Sequence, residues 1–153
     1  MAYTDTPDSS IASLTDGGRT MMARALNGEI SFKLVGFDVG HAGYVHSNPV
    51  KVEAVLPAKV ALDAKYYPNT TDGIVPFVGV ERPHPKTIVF NCRLGHSEPA
   101  NIGAIGEVGL WGEVIHSDVP AEIGTKFLFA IAHFPIMTKN LQNVFVFRIL
   151  TQL

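Results

Sequence analysis

The chain has 153 residues, a length typical of one domain. Charged residues make up 17 % of it and hydrophobic residues 46 %, which indicates either a large core or a surface committed to neighbouring proteins. With 12 basic and 14 acidic residues and no basic stripe, the composition argues against nucleic-acid binding. No apolar run is long enough to span a membrane, and the polar start Met1–Ser10 does not resemble a secretion signal.

The chain begins with a polar stretch, residues 1–12, which we interpret as an N-terminal arm in front of one domain, residues 13–153. The first regular element is a helix predicted over residues 15–27. Thr15 is the expected N-cap, Asp16 lies in the first turn, and Asn27-Gly28 supplies a left-handed stop. The residues expected on its packed face are Leu14, Met21, Met22, Ala25 and Leu26.

After Gly28 the hydrophobic pattern becomes that of β-strands. The segment 66–85 is rich in proline and reads as a long exposed connection with one short strand at 75–80. The other strands are predicted at 29–39 (with a break at Gly36), 50–56, 87–93, 105–115, 126–133 and 144–150. This order predicts a mainly β fold with one N-terminal helix (α+β), an antiparallel β-sandwich-like module.

The residues that could carry chemistry are few. His41 and His46 share one loop, but no cysteine or carboxylate cluster accompanies them, so we expect no metal site. Glu107 and Glu113 fall on one face of a strand, as a glycosidase pair could, yet structural glutamates follow the same pattern. Cys92 reads as a strand cysteine that is at least partly buried. We therefore expect a protein without cofactor or enzymatic activity.

Trp111 stands in a glycine-rich strand. It is either a platform for stacking a sugar or an aromatic residue of the core or an interface, where Gly109 and Gly112 would let the helix or another backbone approach closely. Tyr66 and Tyr67 lie in the proline-rich segment, and they either contact a partner or anchor their own loop.

Several short motifs together resemble the N-terminal domain of tail-collar and tail-fibre proteins of tailed bacteriophages. They are Leu14-Thr15-Asp16-Gly17-Gly18-Arg19, then 23–28, 32–40, the strand Gly106-Glu107-Val108-Gly109-Leu110-Trp111-Gly112, and the strands at 126–132 and 144–150. The positions that carry the resemblance are Leu14, Thr15, Asp16, Gly18, Gly28, Gly40, Glu107, Gly109 and Trp111. Such domains usually precede a longer fibre, whereas this chain stops at Leu153, which favours a small connector.

The resemblance implies a non-enzymatic structural protein of a phage virion, made in the host cytoplasm and located in the tail or baseplate. Its expected partners are itself, with a trimer favoured, and other tail, baseplate or fibre proteins. The candidate interface residues are Tyr3, Thr4, His41, Tyr44, His46, Tyr66, Tyr67, Phe145 and Phe147. The alternatives are a module that binds host-surface carbohydrate and a capsid (head) decoration protein.

Overall fold

The computed structural model describes residues 9–41, 44–45, 51–52, 54–62, 73–95, 103–139 and 145–152. The protein is mostly β, with one α-helix and largely antiparallel sheets, so the predicted α+β, sandwich-like class is confirmed. In chain order the elements are β1 (Ser9–Ile11), β2 (Ser13–Leu14), α1 (Asp16–Leu26), β3 (Ile30–Gly40), β4 (Tyr44–Val45), β5 (Lys51–Val52), β6 (Val75–Pro76), β7 (Gly79–His84), β8 (Thr87–Leu94), β9 (Gly103–Ser117), a 3-10 turn (Pro120–Glu122), β10 (Lys126–Lys139) and β11 (Phe145–Gln152).

The strands form two main sheets and a small hairpin. The first sheet has four strands in the order β1-β11-β8-β7, and the second has five in the order β2-β10-β9-β3-β6. All neighbours pair antiparallel except β1 and β11, which run parallel. The hairpin joins β4 to β5.

The core lies between the two sheets. Alternation along each strand sends every second side chain inward, so Phe37, Val39 and Leu110 of the second sheet meet Phe90 and Ile149 of the first. All five are at most 3 % exposed. Aromatic rings fill one side of this layer, where the ring of Phe77 lies 4.7 Å from that of Phe90. Cys92 is fully buried in the same cluster, and this burial raises the pKa of its thiol.

The stretch interpreted as an N-terminal arm enters the fold before residue 13. Ser9 pairs with Arg148 and Ile11 with Leu150, so β1 is an edge strand of the first sheet. Ala12 is 8 % exposed and belongs to the core. The last residues of the predicted arm therefore contribute to the sandwich.

Helix α1 begins and ends as the sequence predicts. Thr15 is the N-cap, and its hydroxyl accepts a hydrogen bond of 2.9 Å from the N–H of Gly18. Gly28 follows the helix with φ +78°, a conformation that glycine adopts without strain. The prediction for Leu26 is wrong, because this last helical residue is 88 % exposed and only the earlier turns pack on β3 and β10.

The start of the helix is fastened to an irregular point in β10. Leu128 pairs with Trp111 and Ala130 with Leu110, so Phe129 is an extra residue in β10, a β-bulge. The carbonyl of Phe129 accepts a 3.0 Å hydrogen bond from the N–H of Thr15. The hydroxyl of Thr15 donates to the Leu128 carbonyl at 2.6 Å.

Three of the predicted strands differ in the structure. Of the strand predicted at 50–56, the described residues contain Lys51–Val52, and residues 54–56 are not part of a strand. The chain there approaches the helix, where the N–H of Asp16 donates to the carbonyl of Pro57 at 2.7 Å. The connection at 66–85 contains β6 and the six-residue β7, which extends through Pro83. Proline is tolerated there because β7 is an edge strand. The break predicted at Gly36 is a register shift beside that residue.

Gly18→Ala tests the contact between the helix and the bulge. A Cβ atom at position 18 would collide with the carbonyl oxygen of Phe129, and backbone cannot move aside as a side chain can. We expect a loss of about 1–3 kcal/mol in the free energy of unfolding, measured by denaturant titration.

Gly17→Ala is the matched control. Its Cβ would meet nothing closer than 3.8 Å, and alanine favours the helix over glycine by roughly 1 kcal/mol. Equal stability of the two variants would contradict the described docking of α1.

Candidate functional site

The outer face of the second sheet carries a buried polar group of residues. Asp38 of β3, Glu107 of β9 and His133 of β10 lie on this face, because Asp38 pairs with Gly109 while Glu107 pairs with His133. Asp38 is fully buried and Glu107 is 3 % exposed. The described parts of the chain after β3 pack on the same sheet: β4 and β5 contact β10, and Leu62 packs against Leu128 and Ile131.

Glu107 and Glu113 share this face, as predicted, but their surroundings differ. The carboxylate of Glu107 lies 3.4 Å from the Nε2 atom of His133. Glu113 is half-buried and stands in register between Lys33 of β3 and Lys126 of β10. A carboxylate flanked by lysines across neighbouring strands is a stabilising arrangement. Each glutamate thus has a basic residue beside it on a neighbouring strand.

Gly109 makes room for this polar group. A Cβ atom there would collide with the Oδ1 atom of Asp38 and lie 3.3 Å from the Nε1 atom of Trp111. At Gly112 the closest atoms belong to the ring of Phe127. The expectation that the helix or another backbone approaches these two glycines is therefore wrong, since side chains occupy both spaces. The helix approaches the sheet at Gly18.

Trp111 is a half-buried residue of the outer face. It packs against the cluster of Leu62, Leu128 and Ile131. Its other side borders a small depression of about 190 Å³, together with Gly17 and Lys126. These contacts agree with the reading of Trp111 as a packed aromatic near the start of the helix.

At the far end of α1 an ion pair joins the helix to the 3-10 turn. The guanidinium of Arg24 donates two hydrogen bonds, of 2.7 and 2.8 Å, to the carboxylate of Glu122. Arg24 also lies 3.6 Å from Glu29. The hydrogen bond from Arg24 lowers the pKa of Glu122, and the same bond raises the pKa of Arg24. A bidentate pair of this kind fixes the relative position of the two elements.

Exposed aliphatic residues belong to the two segments that this ion pair joins. We call Leu26, Ile115, Val119 and Ile123 the helix-end surface. The exposed fractions of these side chains are 88, 45, 51 and 48 %, in that order. Leu26 is the last residue of the helix that contains Arg24, and the other three lie at positions 115–123, in or near the turn that contains Glu122. Other exposed aliphatic residues are Leu56, Val60, Val78, Val80 and Val146.

The predicted interface residues are dispersed over the fold. His41 is exposed directly after β3, and Tyr44 is in β4 opposite Val52. Phe145 and Phe147 lie in β11, opposite the buried residues Leu94 and Cys92. The remaining predicted contacts lie outside the described residues: Tyr3, Thr4, His46, Tyr66 and Tyr67.

The motif positions, in contrast, have identifiable structural roles. Thr15 and Gly18 join the helix to β10, and Leu14 pairs with Ala130 just before it. Gly40 ends β3 opposite Glu107. Sequence reasoning missed the helix-end surface. The signal available was a set of aliphatic residues around the turn at 117–125, where polar residues are usual.

Two further properties concern the described residues alone. They contain no group of three histidine, cysteine, aspartate or glutamate side chains placed to hold a metal ion. They also contain no helix long and apolar enough to cross a membrane.

Comparison of the chain with protein-family models, with curated proteins and with solved structures found no match.

Glu122→Gln tests the ion pair at the end of the helix. A carboxylate with a lowered pKa in the folded state stabilises the fold above its ordinary pKa of about 4.3, and this contribution is lost as the pH falls through the lowered value. We expect the variant to melt below the wild type at neutral pH, with the difference shrinking as the pH drops below about 4. Thermal melts across pH 2.5–7 measure this difference in melting temperature.

Arg24→Gln provides the reciprocal control. Since both substitutions remove the same pair and Arg24→Gln also removes the contact with Glu29, the double variant should melt close to Arg24→Gln. If the difference in melting temperature between the wild type and Glu122→Gln stays constant down to pH 2.5, this result would argue against the ion pair.

Proposed function

We propose that this protein is a non-enzymatic structural subunit of a tailed-phage virion. It would act in the tail or baseplate as an adaptor that self-associates and docks fibres or neighbouring tail proteins. The resemblance of its motifs to tail-collar and tail-fibre domains supplies the type of particle. The helix-end surface is the observation that carries the role as an assembly subunit.

The helix-end surface suits a protein contact for two reasons. It consists of four aliphatic side chains, each at least 45 % exposed, on the end of α1 and on residues 115–123, the two segments that the Arg24–Glu122 pair joins. Exposed apolar side chains are a common feature of sites where proteins associate. The bidentate Arg24–Glu122 pair holds the helix and the turn together before any partner binds, so less conformational freedom is lost on association.

The positions behind the resemblance also support a rigid module. Thr15, Gly18 and Gly109 each serve a close contact inside the fold, between helix and bulge or beneath the buried Asp38. A subunit that contacts several neighbours in an assembly needs rigid packing between its own elements. The outer-face carboxylate Glu107 is covered and lies beside His133, an arrangement that favours a structural role over catalysis.

Leu26→Lys tests the assembly role. We expect the wild type to form a defined oligomer, with a trimer favoured, and the variant to shift to lower mass because a charge would be buried in the contact. Light scattering coupled to size exclusion measures the mass. Val60→Lys is the matched control, since Val60 is 81 % exposed against 88 % for Leu26 but lies away from the helix-end surface. A monomeric wild type that binds no other tail protein would refute the proposal.

Truncation of the N-terminus needs a cut chosen from the fold. Removing residues 1–12 would delete β1 and the buried Ala12, and so would mix unfolding with any loss of assembly. Removing residues 1–8 leaves β1 in place. If the arm contributes to assembly, the shorter truncation lowers the oligomer mass while the melting temperature stays near that of the wild type.

Immunogold labelling of purified phage particles tests the location. We expect antibody raised against the chain to label the tail or baseplate. Label on the head would instead favour a capsid decoration protein. Intact particles and particles opened by mild denaturant should both be examined, because a contact subunit can be hidden, and the absence of label from both would contradict a virion role.

A further inference from the structure

An apolar cavity of about 420 Å³ opens at one side of the sandwich, between the two sheets. Its walls include Phe32, Leu34, Ile88, Phe90 and Phe129, with Met22 of the helix above them. The volume falls within the range of about 300–1,000 Å³ that is usual for small-molecule sites. It is well above an apolar cavity of roughly 150 Å³ that binds benzene.

The cavity has an entrance because two strands at this side are incompletely covered. Strand β3 pairs with β6 only at Gly36 and Phe37, so no described strand lies on that side of residues 30–35. On the opposing sheet, β7 is an edge strand, and its residue Val80 lines the cavity while being 56 % exposed. A ligand can therefore pass between β3 and β7.

One polar atom belongs to the buried part of the lining. Thr151 lies opposite Ile88 in the first sheet and is 2 % exposed. Its hydroxyl has no hydrogen-bond partner among the described residues. A buried hydroxyl without a partner is destabilising, and most such groups in proteins are satisfied by a neighbour, by water or by a ligand.

We propose that this cavity binds a small neutral molecule that has an aromatic or aliphatic body and one hydroxyl group. The apolar walls take the body, and the hydroxyl of Thr151 exchanges a hydrogen bond with the hydroxyl of the ligand. At about 30 Å³ for each water-sized group, the space suits a molecule of roughly 10–14 non-hydrogen atoms.

Because Thr151 is buried, we expect the ligand that binds beside it to be neutral. The charged residue that contributes to the lining, Lys33, is itself exposed, and it pairs in register with Glu113 on the outer face of the sheet. A carboxylate beside Thr151 would therefore be buried without a buried cation to compensate for its lost hydration, which is costly. An uncharged hydroxyl needs only the single hydrogen bond that Thr151 can provide.

Binding of 1-naphthol and of naphthalene tests the proposal directly, by titration calorimetry or ligand fluorescence. The two compounds share an aromatic body and differ by one hydroxyl group. We expect both to bind the wild type, with 1-naphthol bound roughly three- to tenfold more tightly. In Thr151→Val this preference should disappear, while the affinity for naphthalene stays the same.

Thr151→Val should also raise the melting temperature of the free protein, because it removes a buried hydroxyl that has no partner in the described part of the chain. Valine keeps the branched shape that a strand position favours. A preference for 1-naphthol that persists in this variant would overturn the proposal, as would a failure of both compounds to bind the wild type.

Val80→Trp fills the entrance and should abolish binding of both compounds. Val146→Trp is the matched control, because Val146 is 57 % exposed, against 56 % for Val80, and lies outside the lining. Circular dichroism verifies that both variants fold. If Val80→Trp instead dissociates an oligomer of the chain and the wild-type oligomer binds neither compound, the cavity holds a side chain of a second copy and the small-molecule proposal fails.

Discussion

The carbonyl group of Phe129 is the point at which the helix and the second sheet are joined. It is available because a bulge in β10 removes Phe129 from the regular pairing with β9. The N–H of Thr15 donates to this carbonyl, and Gly18 lies against it without a side chain to intervene. The cap of the helix and its docking on the sheet therefore depend on the same few atoms. Displacing them would affect the direction of α1, the edge strand β2 before it, and the segment at Pro57 that Asp16 contacts.

The second sheet has two covered faces with different chemistry. Its inner face is apolar and packs on the first sheet through Phe37, Leu110 and their neighbours. Its outer face carries the buried carboxylates of Asp38 and Glu107, and β4 and β5 contact this sheet at β10. Polar groups on a covered face favour one pairing register, because a slip of one residue would move the carboxylates into the apolar core. The outer face thus contributes to the uniqueness of the fold.

Local features of the fold could be predicted from the sequence, and features that depend on distant pairing could not. The cap at Thr15, the stop at Gly28 and the strands around Cys92 and Leu128 each follow from a few adjacent residues. The bulge at Phe129 and the cavity at Thr151 arise where strands far apart in sequence meet, and no local pattern encodes that meeting. Pro83 misled the prediction of β7, because the permitted edge position of a proline is known only once the sheet order is known. The helix-end surface was missed for a related reason, since Leu26 fits an amphipathic pattern and its exposure depends on where the sheet ends.

The pairing of β1 with β11 has a consequence for how the protein is made. In the first sheet β11 lies between β1 and β8, so it is the shared neighbour of a strand near the beginning of the chain and a strand from its middle. During synthesis β1 is made long before β11 exists, so it stays without its partner until the last strand of the sandwich follows. Contacts between residues so distant in sequence close slowly. The first sheet is therefore completed only when β11 enters between β1 and β8, two strands that were made before it.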